Sequence, residues 1–185
     1  MLVFQGVKLV SMKLMVHVGL FLLAASFVAA SDYVEFTIVE RIRFSVPGDW
    51  PVIASKSTPE KTIFAFEIPN PADKGTPDSS NLAITSTYLK DSVDRDAFEK
   101  KGPRMDNGAQ ERKLVEGWRC GSLSANQKST QYVIWDCYRI VADCGVSVRL
   151  AWPHLPKNPP NYDKQMETVL SDFLASVAPS KPVSK

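Results

Sequence analysis

Histidine is the scarcest chemistry-bearing residue of this chain: there are two, His17 and His154. His17 lies in an N-terminal apolar run, so His154 is the only imidazole left to serve as a base for nucleophilic catalysis. Nine glycines, with neither a GxSxG elbow nor a phosphate-cradling loop among them, supply no serine-hydrolase or nucleotide-binding motif. The three cysteines leave sixteen residues between Cys120 and Cys137 and six between Cys137 and Cys144. That is not the spacing of a zinc knuckle, and no metal or cofactor is expected. An excess of either charge is missing as well. The chain has 22 Lys+Arg and 20 Asp+Glu, and residues 1–30 hold two of the former (Lys8 and Lys13) and none of the latter. Residues 31–185 are therefore electrically balanced and carry no basic footprint for nucleic acid or an anionic membrane. No internal repeat is present.

What the N-terminus does have is a secretory layout. Lys13 precedes an apolar run, Leu14–Phe27, broken only by His17, Gly19 and Ser26. Val28-Ala29-Ala30 then offers small residues for cleavage before Ser31. The run is shorter than the roughly 20 apolar residues of a spanning helix. No cysteine stands at the cleavage point, as a bacterial lipid anchor would require. Met12 makes a better start than Met1, because residues 1–11 add a second apolar patch that a signal does not need. The expected organisation is a signal peptide over 1–30, one globular domain over 31–178 and a flexible tail over 179–185. The location would be periplasmic or secreted, with no membrane span after cleavage.

Strand signals dominate the domain. Residues 34–46 are β-branched and aromatic up to the turn Pro47-Gly48-Asp49, predicting one or two strands. Val52-Ile53 resumes as a short extended piece. Thr62–Ile68 alternates, and Asn81–Leu89 follows a polar loop that runs to Ser80. Asp91–Lys101 reads as a short helix capped by Ser92 or Asp94, with Val93, Ala97 and Phe98 on one face and Gly102-Pro103 as its stop. Asn107-Gly108 marks a turn. Lys113–Leu123 and Thr130–Val141 predict a hairpin joined around Ala125–Ser129. Both faces of the second arm are apolar, which predicts a central strand covered on both sides. Asp143-Cys144-Gly145 reads as a tight turn into Val146–Trp152. Beyond the proline-rich corner 153–160, Tyr162, Met166, Val169, Leu170, Phe173, Leu174 and Val177 form one helical stripe that a sheet must cover, with Asn161 as cap. The fold class is α+β: an antiparallel β-sheet flanked by helices, with a long C-terminal amphipathic helix.

In an oxidising compartment three cysteines imply one disulfide and one spare thiol. Cys120 opposite or diagonal to Cys137 in the hairpin falls within reach. Cys144, six or seven residues beyond Cys137, is placed about 20 Å away. Cys120–Cys137 is the expected pair and Cys120–Cys144 its competitor. Cys144 beside His154 would make a reactive thiol, but nothing in the sequence brings them together. Asp136, within an apolar strand, is either a raised-pKa acid or, more simply, a structural partner of Arg119 or Arg149. The four tryptophans, Trp50, Trp118, Trp135 and Trp152, fit core packing better than stacking on a ligand. The loops 69–80, 102–112 and 153–160 are long enough to recognise a partner. In the last of them and at its edge, Trp152, His154 and Lys157 are the candidate binding residues.

Phe44-Ser45-Val46-Pro47-Gly48-Asp49-Trp50, the short helix near 94–101, the central hairpin and the closing stretch Val169-Leu170-Ser171-Asp172-Phe173-Leu174 together resemble Mog1/PsbP-like domains, over residues 40–177. The resemblance implies an α/β/α sandwich in an exported bacterial branch, with a non-catalytic binding or assembly role. Some small exported proteins of this shape serve as immunity partners of secreted toxins. Only structural positions match, so no functional residue is carried over. The expected function is an exported protein-binding module, of immunity or accessory type, whose partner is another protein. The alternative is a small periplasmic hydrolase using His154 or Asp136, or a ligand carrier with a pocket under the C-terminal helix.

Overall fold

The period-two apolar pattern does form strands. The computed structural model describes residues 32–38, 40–70, 79–102, 110–127 and 129–180. The leader 1–30, the Asn107-Gly108 turn and the last five residues lie outside them. In chain order the elements are β1 (Tyr33–Ile38), β2 (Ile42–Pro47), β3 (Val52–Ser57), β4 (Lys61–Glu67), β5 (Asn81–Tyr88), α1 (Ser92–Lys101), β6 (Gln110–Arg112), β7 (Arg119–Gln127), β8 (Thr130–Val141), β9 (Cys144–Pro153), α2 (Tyr162–Ser176) and β10 (Ala178–Pro179). A seven-stranded sheet runs β3-β4-β5-β9-β8-β7-β6, and a three-stranded sheet runs β1-β2-β10. All the pairings are antiparallel. This is the α+β class expected, with a second small sheet that the sequence did not announce.

Register explains which residues are buried. Phe66, Leu82 and Leu150 stand side by side on β4, β5 and β9, and Leu150 faces Trp135 on β8. All four are 1% exposed or less. This face of the large sheet receives α2 and the small sheet. Five rings close the contact: Phe44 on β2 lies 5.5 Å from Phe36, 6.2 Å from Phe64, 6.1 Å from Phe66 and 5.5 Å from Phe173 of α2. The α2 stripe is buried at Tyr162, Met166, Leu170, Phe173, Leu174 and Val177, and half-buried at Val169. Asn161 gives no side-chain cap; it sits in left-handed backbone (φ 61°) instead. Residues expected in the tail take part in the sheet: Pro179 pairs with Ile42, and Ser180 N–H donates to Arg41 O at 2.8 Å.

The opposite face carries α1 at one end. Its cap is Asp91, whose carboxylate accepts from Val93 and Asp94 N–H, rather than Ser92 or Asp94. Val93, expected on the buried face, is 72% exposed. Phe98 alone docks the helix, 6.0 Å from the Tyr138 ring and directly over Gly145. A Cβ on Gly145 would stand 2.5 Å from that ring. The β8–β9 turn consequently falls one residue earlier than predicted. Val141 pairs with Cys144, and Ala142 takes the positive φ of 54°. Gly145 belongs to the strand because a ring lies on it, not because the chain turns there. The first hairpin arm likewise begins at Arg119 rather than Lys113, since Gly117 (φ 77°) turns the chain just before it. Its ladder runs on to the Gln127–Thr130 pair, past the expected connector. On β8 both faces are partly covered: Trp135, Cys137 and Val141 are buried on one and Tyr132 and Asp136 on the other, while Val133 on the first and Ile134, Tyr138 and Ile140 on the second are half-buried.

Candidate functional site: a braced corner and two free edges

The corner after β9 is built from below. Trp152 is 1% exposed, and its indole Nε1–H donates to Asp163 Oδ1 at 2.7 Å. His154 N–H donates to Gln131 O at 2.7 Å. Asn158 Nδ2–H donates to Pro153 O at 2.9 Å, and its own Oδ1 accepts from Asn70 Nδ2 at 3.3 Å. Beneath these, the Ser80 and Tyr162 hydroxyls share a buried hydrogen bond of 3.0 Å. Prolines and this polar lattice together stiffen the loop. A cleft of about 400 Å³ opens there, lined by His154, Leu155, Asn158, Tyr162, Asp163 and Lys164 among others.

Of the three residues expected on a binding surface, His154 and Lys157 are exposed, while Trp152 is inside and braces the loop that carries them. Trp118, Trp135 and Trp152 are core residues, and Trp50 is half-buried.

The groups nominated for catalysis are not brought together. Cys144 begins β9 and His154 follows its last residue, which places them about 30 Å apart along the strand. Asp136 pairs across the sheet with Arg149, five residues short of His154, or about 16 Å away. Among the described residues no cluster of His, Cys, Asp or Glu could hold a metal ion. Under α2, the groove lined by Tyr33, Trp50, Val169 and Phe173 amounts to about 60 Å³, well short of the roughly 300 Å³ at which small-molecule pockets begin.

Asp136 has a structural partner. It is 5% exposed, and Arg149 grips it with both ends of the guanidinium, Nε to Oδ1 at 2.7 Å and Nη2 to Oδ2 at 2.8 Å. The hydrogen bond to Asp136 raises the Arg149 pKa above the ordinary arginine value, against the opposing effect of burial. Arg149→Leu is expected to cost about 2–3 kcal/mol, because it leaves a buried carboxylate unpartnered. Asp136→Leu combined with Arg149→Leu should fall near wild type. Urea denaturation of both variants checks this, and equal losses would mean that the pair is not the unit.

Cys120 and Cys137 are bonded, directly opposite in the β7–β8 register with Cα atoms 4.1 Å apart. Cys144 is a buried free thiol, which settles the pairing that the spacing left open. Because the hairpin folds back, Cys144 lies beside Val141, four positions from Cys137. That is about 13 Å, nearer than the linear count suggested but still beyond bonding reach.

Sequence reasoning missed two edges. β1 ends the small sheet and β3 ends the large one. Among the described residues, four of the five large apolar side chains that stand exposed lie on them: Tyr33 (64%), Val34 (46%), Val52 (47%) and Ile53 (52%). Tyr33 pairs with Pro47, the Gly48 N–H reaches Asp32 O, and Trp50 leads through Pro51 into β3. Tyr33 and Val34 thus lie on β1 before one turn and Val52 and Ile53 on β3 after it, the two members of each pair pointing to opposite faces of their strand. The strand pattern of 34–46 was visible in the sequence, but its outer face gave no sign of lacking a cover.

Among solved structures, the chain is similar to a Bacteroides thetaiotaomicron protein at 14% identity and a TM-score of 0.49. The match covers 82% of this chain and half the length of the other. It is also similar to a point variant of the protein Mog1 (13%, TM-score 0.47, 82% and 97% of the two chains) and to the Saccharomyces cerevisiae Ran-binding protein Mog1p (13%, TM-score 0.46, 80% and 95%). Mog1 is the family whose resemblance the sequence carries. No family model matches the chain, and no curated protein matches it in sequence.

Proposed function

We propose that this chain is a non-catalytic module that binds another protein in the bacterial envelope or outside the cell, in an immunity or accessory role. The observation that carries this reading is that exposed apolar side chains, Tyr33, Val34, Val52 and Ile53, stand on the two strands, β1 and β3, that end their sheets among the described residues on either side of the Pro47–Pro51 turn. Single exposed apolar residues are ordinary, but apolar side chains concentrated on edge strands, whose backbone groups can pair with another chain, mark an interaction surface. Export is supported by the leader pattern over 12–31, and the Cys120–Cys137 bond suits an oxidising compartment. Among the described residues no helix is long and apolar enough to cross a membrane. The separation of His154 from both Asp136 and Cys144 favours binding over hydrolysis.

Residues 31–185, used as bait on envelope and secreted fractions, should capture one protein in stoichiometric amount. Val52→Asp with Ile53→Asp should lower that recovery at least tenfold while leaving the fold intact by circular dichroism. Recovery unaffected by the double variant would remove the edge surface from the reading. In the immunity version, the partner is a delivered enzyme whose active site is occluded. Co-expression should then rescue cells from the toxin encoded beside this gene, and failure to rescue would leave the accessory role.

A further inference from the structure

The two glycines with left-handed backbone among the described residues, Gly102 (φ 47°) and Gly117 (φ 77°), flank one cleft. Each lies under an arginine. A Cβ on Gly102 would meet Arg119 Nη2 at 3.0 Å, and one on Gly117 would meet Arg139 Nε at 3.3 Å. Bare backbone at these turns lets both guanidiniums lie close against the chain. Gly117, Arg119 and Arg139 all line a cleft of about 280 Å³ between α1 and the ends of β7 and β8. Phe98, Tyr138 and Ile140 give it an apolar wall.

Arg119 is held but not neutralised. Arg119 Nη1 donates to Glu99 O at 2.7 Å, in the last turn of α1, where helix carbonyls carry partial negative charge. That bond fixes the guanidinium plane and leaves its other donors unassigned. Among the described residues no carboxylate forms an ion pair with Arg119 or Arg139. Among the described residues Glu99 is the one acid lining the cleft. Lys100 and Lys101 follow it on α1, and Glu116 precedes Gly117. The local balance is positive on a domain whose overall charge is balanced.

Resting on the protein-binding reading, we propose that this cleft receives a carboxylate side chain of the partner protein. Guanidinium forks match a planar carboxylate with two parallel hydrogen bonds. The apolar wall suits the methylene stem of an acidic side chain.

The test is a titration of the ¹⁵N-labelled chain 31–185, followed by NMR. The probes are an acetylated, amidated tetraglutamate peptide, the matching tetralysine peptide and inorganic phosphate, each added separately. Saturable shifts at the Gly117 amide and at the Arg119 and Arg139 side chains are expected with tetraglutamate and not with tetralysine. Arg139→Gln should weaken that binding at least tenfold with the melting temperature unchanged, and Arg139→Lys should restore part of it. Phosphate binding as tightly as the peptide would overturn the proposal in favour of a free-anion site. Scattered, non-saturating shifts would overturn it outright. If the bait captures its partner equally well with Arg139→Gln, the cleft fails and the binding module stands. If no variant captures any protein, the binding reading fails whatever the titration shows.

Discussion

Phe44→Ala is expected to cost about 4 kcal/mol. Phe44 is 0% exposed and stands where three elements meet: Phe36 on its own small sheet, Phe64 and Phe66 on the large sheet, and Phe173 on α2. Truncation empties a space that no neighbour can enter without leaving its own partners, so relaxation is limited and the cavity penalty adds to the lost burial. In a domain of this length the melting temperature should fall by about 8–16 °C. Phe44→Leu, which keeps most of the volume, should cost roughly 1–1.5 kcal/mol. Denaturation of the two variants in urea separates the cases. A loss under about 1.5 kcal/mol for the alanine would mean that the small sheet and α2 are fastened independently of this ring.

The second large effect belongs to the disulfide. Cys120 and Cys137 are 17 residues apart in sequence, and a crosslink closing a loop of that length stabilises by about 3 kcal/mol, chiefly by restricting the unfolded chain. Cys120→Ala with Cys137→Ala, or the wild type in reductant, should therefore lose about that much. The nine paired positions of β7 and β8 already bring the two residues together, so the folded hairpin itself should be unchanged. Without reductant, thiol titration should find one reactive group per chain, Cys144, and only after unfolding, because it is 3% exposed. Two or three reactive groups would contradict the bond.

How much of this was legible beforehand depended on whether a residue's role lay in its own pattern or in its neighbour's. The α2 stripe, the alternation of Thr62–Ile68 and the two apolar faces of Thr130–Val141 are self-contained signals, and they pointed to the α+β class and most of the core. Hairpin register made Cys120–Cys137 the expected pair, but only the structure removed its competitor Cys120–Cys144. Gly145 did not read correctly, since a glycine after Asp-Cys resembles a turn and only the Phe98 ring reveals why it lies in a strand. Asp91 was passed over as a cap because Ser92 and Asp94 carry the same local signal. Trp152 was placed on a surface on account of its loop, but its indole is claimed by Asp163 on the following helix. The Arg119–Arg139 cleft was not visible at all. Those residues lie twenty positions apart on paired strands, and the glycines that make room for them look like ordinary turn residues. A neutral overall composition also hid a local excess of charge.

One consequence of the small sheet concerns the order in which the chain is made. Its central strand, β2, is flanked by β1 from the start of the domain and β10 from its end, and the helix that covers the aromatic cluster immediately precedes β10. A ribosome delivers the N-terminal part first, at about 5–20 residues per second. Until the final stretch emerges, Phe44 and Phe66 have no lid, and the native state is out of reach for an incomplete chain. The last strand to be made is the latch, and the domain closes only once residues through Ser180 have been delivered.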